Sequence, residues 1–66
     1  MEKAIQEVLA AAKEARKVGW ELIYYQFKKG ERESFEGDII AELRNRTLGN
    51  IQCKTDGGNY IEFILL

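Results

Sequence analysis

The sequence predicts a small α+β domain, an N-terminal helix packed on a four-stranded antiparallel meander. Three observations carry this expectation. Apolar residues recur at three- and four-residue spacing over positions 2–18. Beyond Gly19 the segments turn aromatic and β-branched, with a spacing close to two. Glycine-containing turns at Lys29-Gly30, Leu48-Gly49-Asn50 and Gly57-Gly58-Asn59 then divide the chain into strand-length pieces.

The helix runs from Glu2 to Val18. Ala4, Ile5, Val8, Leu9, Ala11, Ala12, Ala15 and Val18 form one stripe, and Lys3, Gln6, Glu7, Lys13, Glu14 and Lys17 share the other side. Arg16 and Lys17 complement the dipole in the last turn, and Gly19 is placed to act as a left-handed cap. No capping side chain precedes Glu2, so the first turn is expected to fray. The stripe is wide but rich in alanine, so it contributes little core volume.

Trp20 to Lys28 reads as a strand with two substantially apolar faces. Residues 34–44 admit two readings. As a strand, Phe35, Gly37, Ile39, Ala41 and Leu43 alternate with Ser34, Glu36, Asp38, Ile40, Glu42 and Arg44. As a helix over about 38–48, Asp38 caps Ile39, Ile40 and Leu43, and the order becomes α-β-α-β-β. The alternation runs further than the helical stripe and favours the strand. Ile51–Thr55 and Tyr60–Leu66 form the last hairpin. A three-residue loop at Gly57-Gly58-Asn59 sets Cys53 opposite Phe63 and Lys54 opposite Glu62. A similar loop at Leu48-Gly49-Asn50 aligns Leu43 with Ile51.

At 66 residues the chain is one small domain, and a domain of this size buries only about 60% of the surface its unfolded form exposes. One cysteine and no histidine exclude an intrachain disulfide and the usual zinc sites, so a partner is the expected source of extra stability. Ten basic and eleven acidic residues give a net charge of −1, which is not the footprint of bulk electrostatic nucleic-acid binding. Glu31, Glu33, Glu36, Asp38 and Glu42 against Arg32 make residues 31–42 an acidic run of net −4. There is no signal-peptide pattern and no apolar run of membrane length, and the lone thiol suits a reducing compartment; a cytoplasmic protein with no membrane partner is expected.

One helix covers one sheet face. The expected inner face holds Ile23, Tyr25, Phe27, Phe35, Ile39, Leu43, Ile51, Cys53, Ile61, Phe63 and Leu65. The other face carries Trp20, Leu22, Tyr24, Ile40, Tyr60 and Ile64, too many apolar side chains for a purely wet face. These six are the candidate protein interface, for a homo-oligomer or for docking on a larger protein, through this face or through 60–66 as an edge strand.

No enzyme signature is present. Cys53 has no histidine partner in the chain. Glu31, Glu33, Glu36 and Asp38 lack the spacing of a calcium loop, and no phosphate loop follows any glycine. No cofactor, metal or small molecule is indicated. The second functional reading is single-stranded nucleic-acid binding, with bases stacked on Trp20, Tyr24 and Tyr60 and phosphates on Arg44, Arg46 and Lys54. Gly19-Trp20-Glu21-Leu22 after a helix resembles the helix-to-strand junction of small bacterial domains whose preceding strand this chain lacks. The leading helix, then strands with Gly30 and Gly37, resembles the Sm-type RNA-binding barrel, but that family's Asp…Asn loop signature and final strand are absent. Neither resemblance carries a function to this chain.

Overall fold

The computed structural model describes residues 1–35 and 37–66. The order is α1 (Glu2–Lys17), β1 (Leu22–Gln26), α2 (Glu31–Ser34), α3 (Ile39–Arg46), β2 (Ile51–Asp56) and β3 (Tyr60–Leu65). The fold is α+β with an antiparallel sheet, as expected, but the sheet has three strands in the order β1-β3-β2.

The missing fourth strand is α3. Asp38 accepts a hydrogen bond from the Ile40 amide at 2.9 Å, a side-chain cap that starts the helix. Ile39 and Leu43 then fall one turn apart and are both buried. A spacing of four keeps two residues on one face in a strand and in a helix alike, so periodicity does not separate the two states here. The alternation depended on counting Gly37 and Ala41 as apolar positions, and neither has a side chain that demands burial. The cap decides the outcome, and the helical alternative over 38–48 is the one realised. Leu48-Gly49-Asn50 is accordingly a helix terminus and not a hairpin loop. The Gly49 amide bonds back to the Arg44 carbonyl at 2.8 Å and the Leu48 amide to Asn45 at 3.3 Å, with Leu48 itself left-handed at φ 54°. The short α2 follows the expected turn at Lys29-Gly30, with Gly30 as its N-cap residue at φ 74°, and takes in Ser34, the first residue of the expected strand.

Gly19 does close α1 in left-handed conformation, φ 79°, with the Trp20 amide returning to the Ala15 carbonyl. The first turn is not left loose: Arg46 of α3 donates two hydrogen bonds to the Glu2 carboxylate, at 2.7 and 2.6 Å.

Losing a strand also moves the C-terminal one. β3 lies in the middle of the sheet, with Phe63 facing Ile23 on one side and Cys53 on the other. The expected Cys53–Phe63 register holds, but the Lys54–Glu62 pairing does not: Glu62 faces Thr55, because the strand bulges at Lys54. The cause is the turn. Gly57 donates to the Tyr60 carbonyl at 2.9 Å, leaving Gly58 and Asn59 as a two-residue turn, with Gly58 at φ 90°. That turn shifts the register by one, and the bulge shifts it back so that Ile51, Cys53, Ile61, Phe63 and Leu65 share the inner face.

α1 packs over β1, and α3 over β2. Between helices and sheet lie Phe63, Ile5, Leu43, Ile51, Ile61 and Val8, all fully buried. Phe35, Ile40, Cys53, Leu9 and Met1 pack against this core from its margin. The sequence reading therefore had the inner face right even where it had the wrong element.

Candidate interface at the open sheet edge

In an antiparallel ladder, alternate residues turn their backbone groups toward the neighbouring strand and away from it. The Phe27 amide donates to Asn59 and the Leu65 amide to Glu21, both at 2.7 Å. With the register of β1 on β3, this places Glu21, Ile23, Tyr25 and Phe27 in the bonded pairs. Leu22, Tyr24 and Gln26 consequently point their N–H and C=O groups outward along the free side of β1. Among the described residues no protein group bonds to them. The open edge is thus β1 and not the segment 60–66 that the meander implied.

Beside this edge α1 is left partly uncovered. Its apolar stripe is wider than the core uses: Ala4, Ile5, Val8, Ala12 and Ala15 are buried, while Ala11 and Val18 are exposed. Ala11, Ala15 and Val18 form one wall of a groove of about 640 Å³, and Trp20, Leu22 and Tyr24 form the other. Glu14 is its single charged lining residue and is paired with Lys17 at 3.2 Å. Trp20 is 67% exposed, Tyr24 65% and Val18 64%, large values for side chains with this much apolar surface.

The outer sheet face continues from the groove. Leu22 faces Ile64, Tyr24 faces Glu62, and Gln26 faces Tyr60. The Tyr24 and Tyr60 rings lie 6.4 Å apart. The Glu62 side chain is only 13% exposed, and Lys54 approaches it at 3.7 Å. Glu62, as an acceptor across the strand pair and then by its charge, raises the Tyr24 phenol above its ordinary value. The Tyr60 ring also covers Gly57 so closely that a Cβ there would run into it.

Five of the six expected interface residues are therefore brought together: Trp20, Leu22, Tyr24, Tyr60 and Ile64. The sixth, Ile40, sits on α3, half-buried against the core and off the sheet. Val18 and Ala11 were missed, and the signal for them was the surplus width of the α1 stripe. Of the three cations of the nucleic-acid reading, Lys54 alone borders the outer sheet face. Arg44 and Arg46 belong to α3, where Arg46 is bound to Glu2 and Glu42, and Lys54 is engaged by Glu62.

Comparison with known protein families, characterised proteins and solved structures finds no match. The chemistry-bearing residues elsewhere have structural work. Tyr25 donates to Glu31 at 2.7 Å; burial, then this carboxylate, pushes its phenol up, while the bond holds Glu31 down. Arg32 binds Asp56 through both amino groups and lies 5.0 Å over the Phe27 ring, tying α2 to the end of β2. Asp38 caps α3, Glu33 is exposed, and Glu36 lies outside the described residues. Burial pushes the Cys53 thiol up, away from the reactive thiolate. Among the described residues no three His, Cys, Asp or Glu side chains cluster as metal ligands, and no helix is long and apolar enough to cross a membrane.

Proposed function

We infer that this is a small non-enzymatic protein that works by protein–protein association, through the free side of β1 and the aromatic surface around it. The observation that carries the reading is the coincidence of two features that rarely occur together without a partner. One is a row of backbone groups at Leu22, Tyr24 and Gln26 to which no described residue bonds. The other is the apolar groove and exposed aromatics beside it, Val18, Trp20 and Tyr24. Main-chain bonds along an edge supply affinity, and side-chain pockets next to it supply specificity. Trp and Tyr are also the residues that most often dominate interface energetics.

Nucleic-acid binding lacks comparable support, because Arg44 and Arg46 sit on α3, off the sheet, and Lys54 beside the aromatic face is paired with Glu62. A photo-crosslinking residue placed at Trp20 tests the reading in cells of the native host. Discrete protein adducts are expected there, and none from the same residue placed at the exposed Ala41 on α3. Equal labelling at both positions, or none at Trp20, refutes the assignment.

A further inference from the structure

We propose that the occupant of the β1 edge is a second copy of this chain, added in antiparallel register about a two-fold axis at Tyr24. This rests on the association reading and names its partner. The register is fixed by the backbone. Only residues with outward-facing groups can exchange ladder bonds across the new edge, and these are Leu22, Tyr24 and Gln26. A single antiparallel register uses all three: Tyr24 opposite Tyr24 of the second copy, and Leu22 opposite its Gln26. That arrangement is self-complementary and closed, so it yields a dimer and not a fibre. The two sheets become one continuous sheet of six strands, with both α1 helices on the same side.

Side chains agree with the backbone. Carried two residues further, the register brings Trp20 opposite Lys28 of the second copy, an exposed cation beside an exposed indole. Leu22 to Gln26 carries no charge, so the meeting edges do not repel. Ala11 and Ala15 keep the helix wall of the groove low, which lets a second backbone approach. The exposed parts of Trp20 and Tyr24 from two copies offer on the order of 400–650 Å². Against the roughly 1,200 Å² at which specific interfaces begin, strand pairing and Val18 have to supply the rest. An interface at that lower limit makes a reversible dimer.

Sedimentation equilibrium over a concentration series is the test. The wild-type chain is expected to reach twice its chain mass. Tyr24→Lys, which sets two like charges face to face on the axis, raises the dissociation constant by roughly a hundredfold or more. Thr55→Lys, on β2 at the far edge of the same face, leaves it unchanged. A second pair of variants reads the register without relying on a loss. Bonded strand pairs hold their Cα atoms at about 5.5 Å, within disulfide reach. Oxidation therefore links Tyr24→Cys chains through position 24, while Gln26→Cys chains, whose new thiols lie four residues apart along the pair, stay single. A wild-type protein that remains monomeric at millimolar concentration overturns the proposal, as does a dimer that Tyr24→Lys leaves intact or linkage at position 26 in place of 24. In those cases an adduct of a different protein at Trp20 still upholds association, whereas its absence removes both readings.

Discussion

The two edges of this sheet are built to opposite specifications. On β2 the outward groups belong to Ile51 and Cys53, because Leu66 bonds to Asn50 on the inner side. The Ile51 amide is already taken by the Thr47 hydroxyl at 3.0 Å. The Gln52 side chain folds back onto the Gly49 carbonyl at 2.7 Å. One residue past Cys53 the strand bulges, with the charged Lys54 at the break, and Arg32 clamps Asp56 beyond it. Bulges, charges and covered amides are the standard means of preventing edge-to-edge pairing. On β1, Leu22-Ile23-Tyr24-Tyr25-Gln26 is regular and uncharged, and no protein group bonds to its outward amides among the described residues. A sheet that interrupts one edge with a bulge, a charge and a covered amide and leaves the other regular and bare distinguishes a surface to be kept apart from one to be used.

Both edges hang on β3, so the largest effect comes from its centre. Phe63 is fully buried and faces Ile23 and Cys53 at once. Phe63→Ala is expected to cost about 3–5 kcal/mol. At roughly 0.05–0.15 kcal/mol per residue, a domain this short holds only about 3–10 kcal/mol in all. Urea titration followed by Trp20 fluorescence checks it: the transition shifts to far lower denaturant or disappears. A shift too small to resolve would mean that the two edges do not share one cooperative core.

Thr47→Val strips protection from β2 alone. It leaves the Ile51 amide without its acceptor, at a cost of about 1–3 kcal/mol. Amide hydrogen exchange sharpens the contrast. At concentrations that keep the chain monomeric, the outward amides of Leu22, Tyr24 and Gln26 exchange fast in both proteins, and the Ile51 amide becomes fast only in the variant. An Ile51 amide that stays slow in Thr47→Val would show that the hydroxyl does not guard the edge.

The sequence made much of this legible. The α1 stripe, its glycine cap and the inward set Ile23, Tyr25, Phe27, Ile51, Ile61, Phe63 and Leu65 follow from spacing and turn chemistry alone. So do Trp20, Leu22 and Tyr24 as surplus apolar surface. What pattern does not specify is which strand ends up outside. That depends on whether residues 39–46 are strand or helix, and Ile39 and Leu43 satisfy both periods. One side-chain bond, Asp38 to the Ile40 amide, tips the local choice, and the choice then reorders the sheet. The edge was placed at 60–66 for this reason, although the apolar face beside the true edge was recognised. The Lys54 bulge was hidden similarly: it arises only because the Gly58-Asn59 turn is one residue shorter than the register of the inner face needs.

Asp38→Ala probes that choice directly. Removing the cap should cost about 1 kcal/mol, with most of it restored by Asp38→Ser or Asp38→Asn. Equilibrium unfolding measures the difference. Since α3 covers the β2 half of the sheet, the variant should also speed exchange at Gln52, whose amide faces β3, more than at Ile23. No change in stability would mean that Ile39 and Leu43 hold the helix by burial alone.

The smallest expected effect lies where the two halves meet. Glu2 belongs to the helix over β1, and Arg46 to the helix over β2. Arg46, then Gln6, hold the Glu2 carboxyl down to about 2 from an ordinary value of 4.5. A carboxyl depressed by folding stabilises the native state above its unfolded value. That contribution disappears as pH falls from about 4.5 through about 2. The Arg46 and Glu2 side chains are 36% and 59% exposed, so solvent screening keeps the effect small and added salt reduces it further. Glu31 and Asp56 are held down as well, by Tyr25 and Arg32, so their stabilising contributions also fade in acid. The Arg46 ion pairs, with Glu2 and Glu42, are therefore separated out as the difference between wild type and Arg46→Gln: the gap in unfolding midpoint should be widest near neutral pH and close toward pH 2. A gap independent of pH would assign Arg46 a packing role, with its contact to Glu2 making no measurable contribution to joining the helix over the bare edge to the helix over the guarded one.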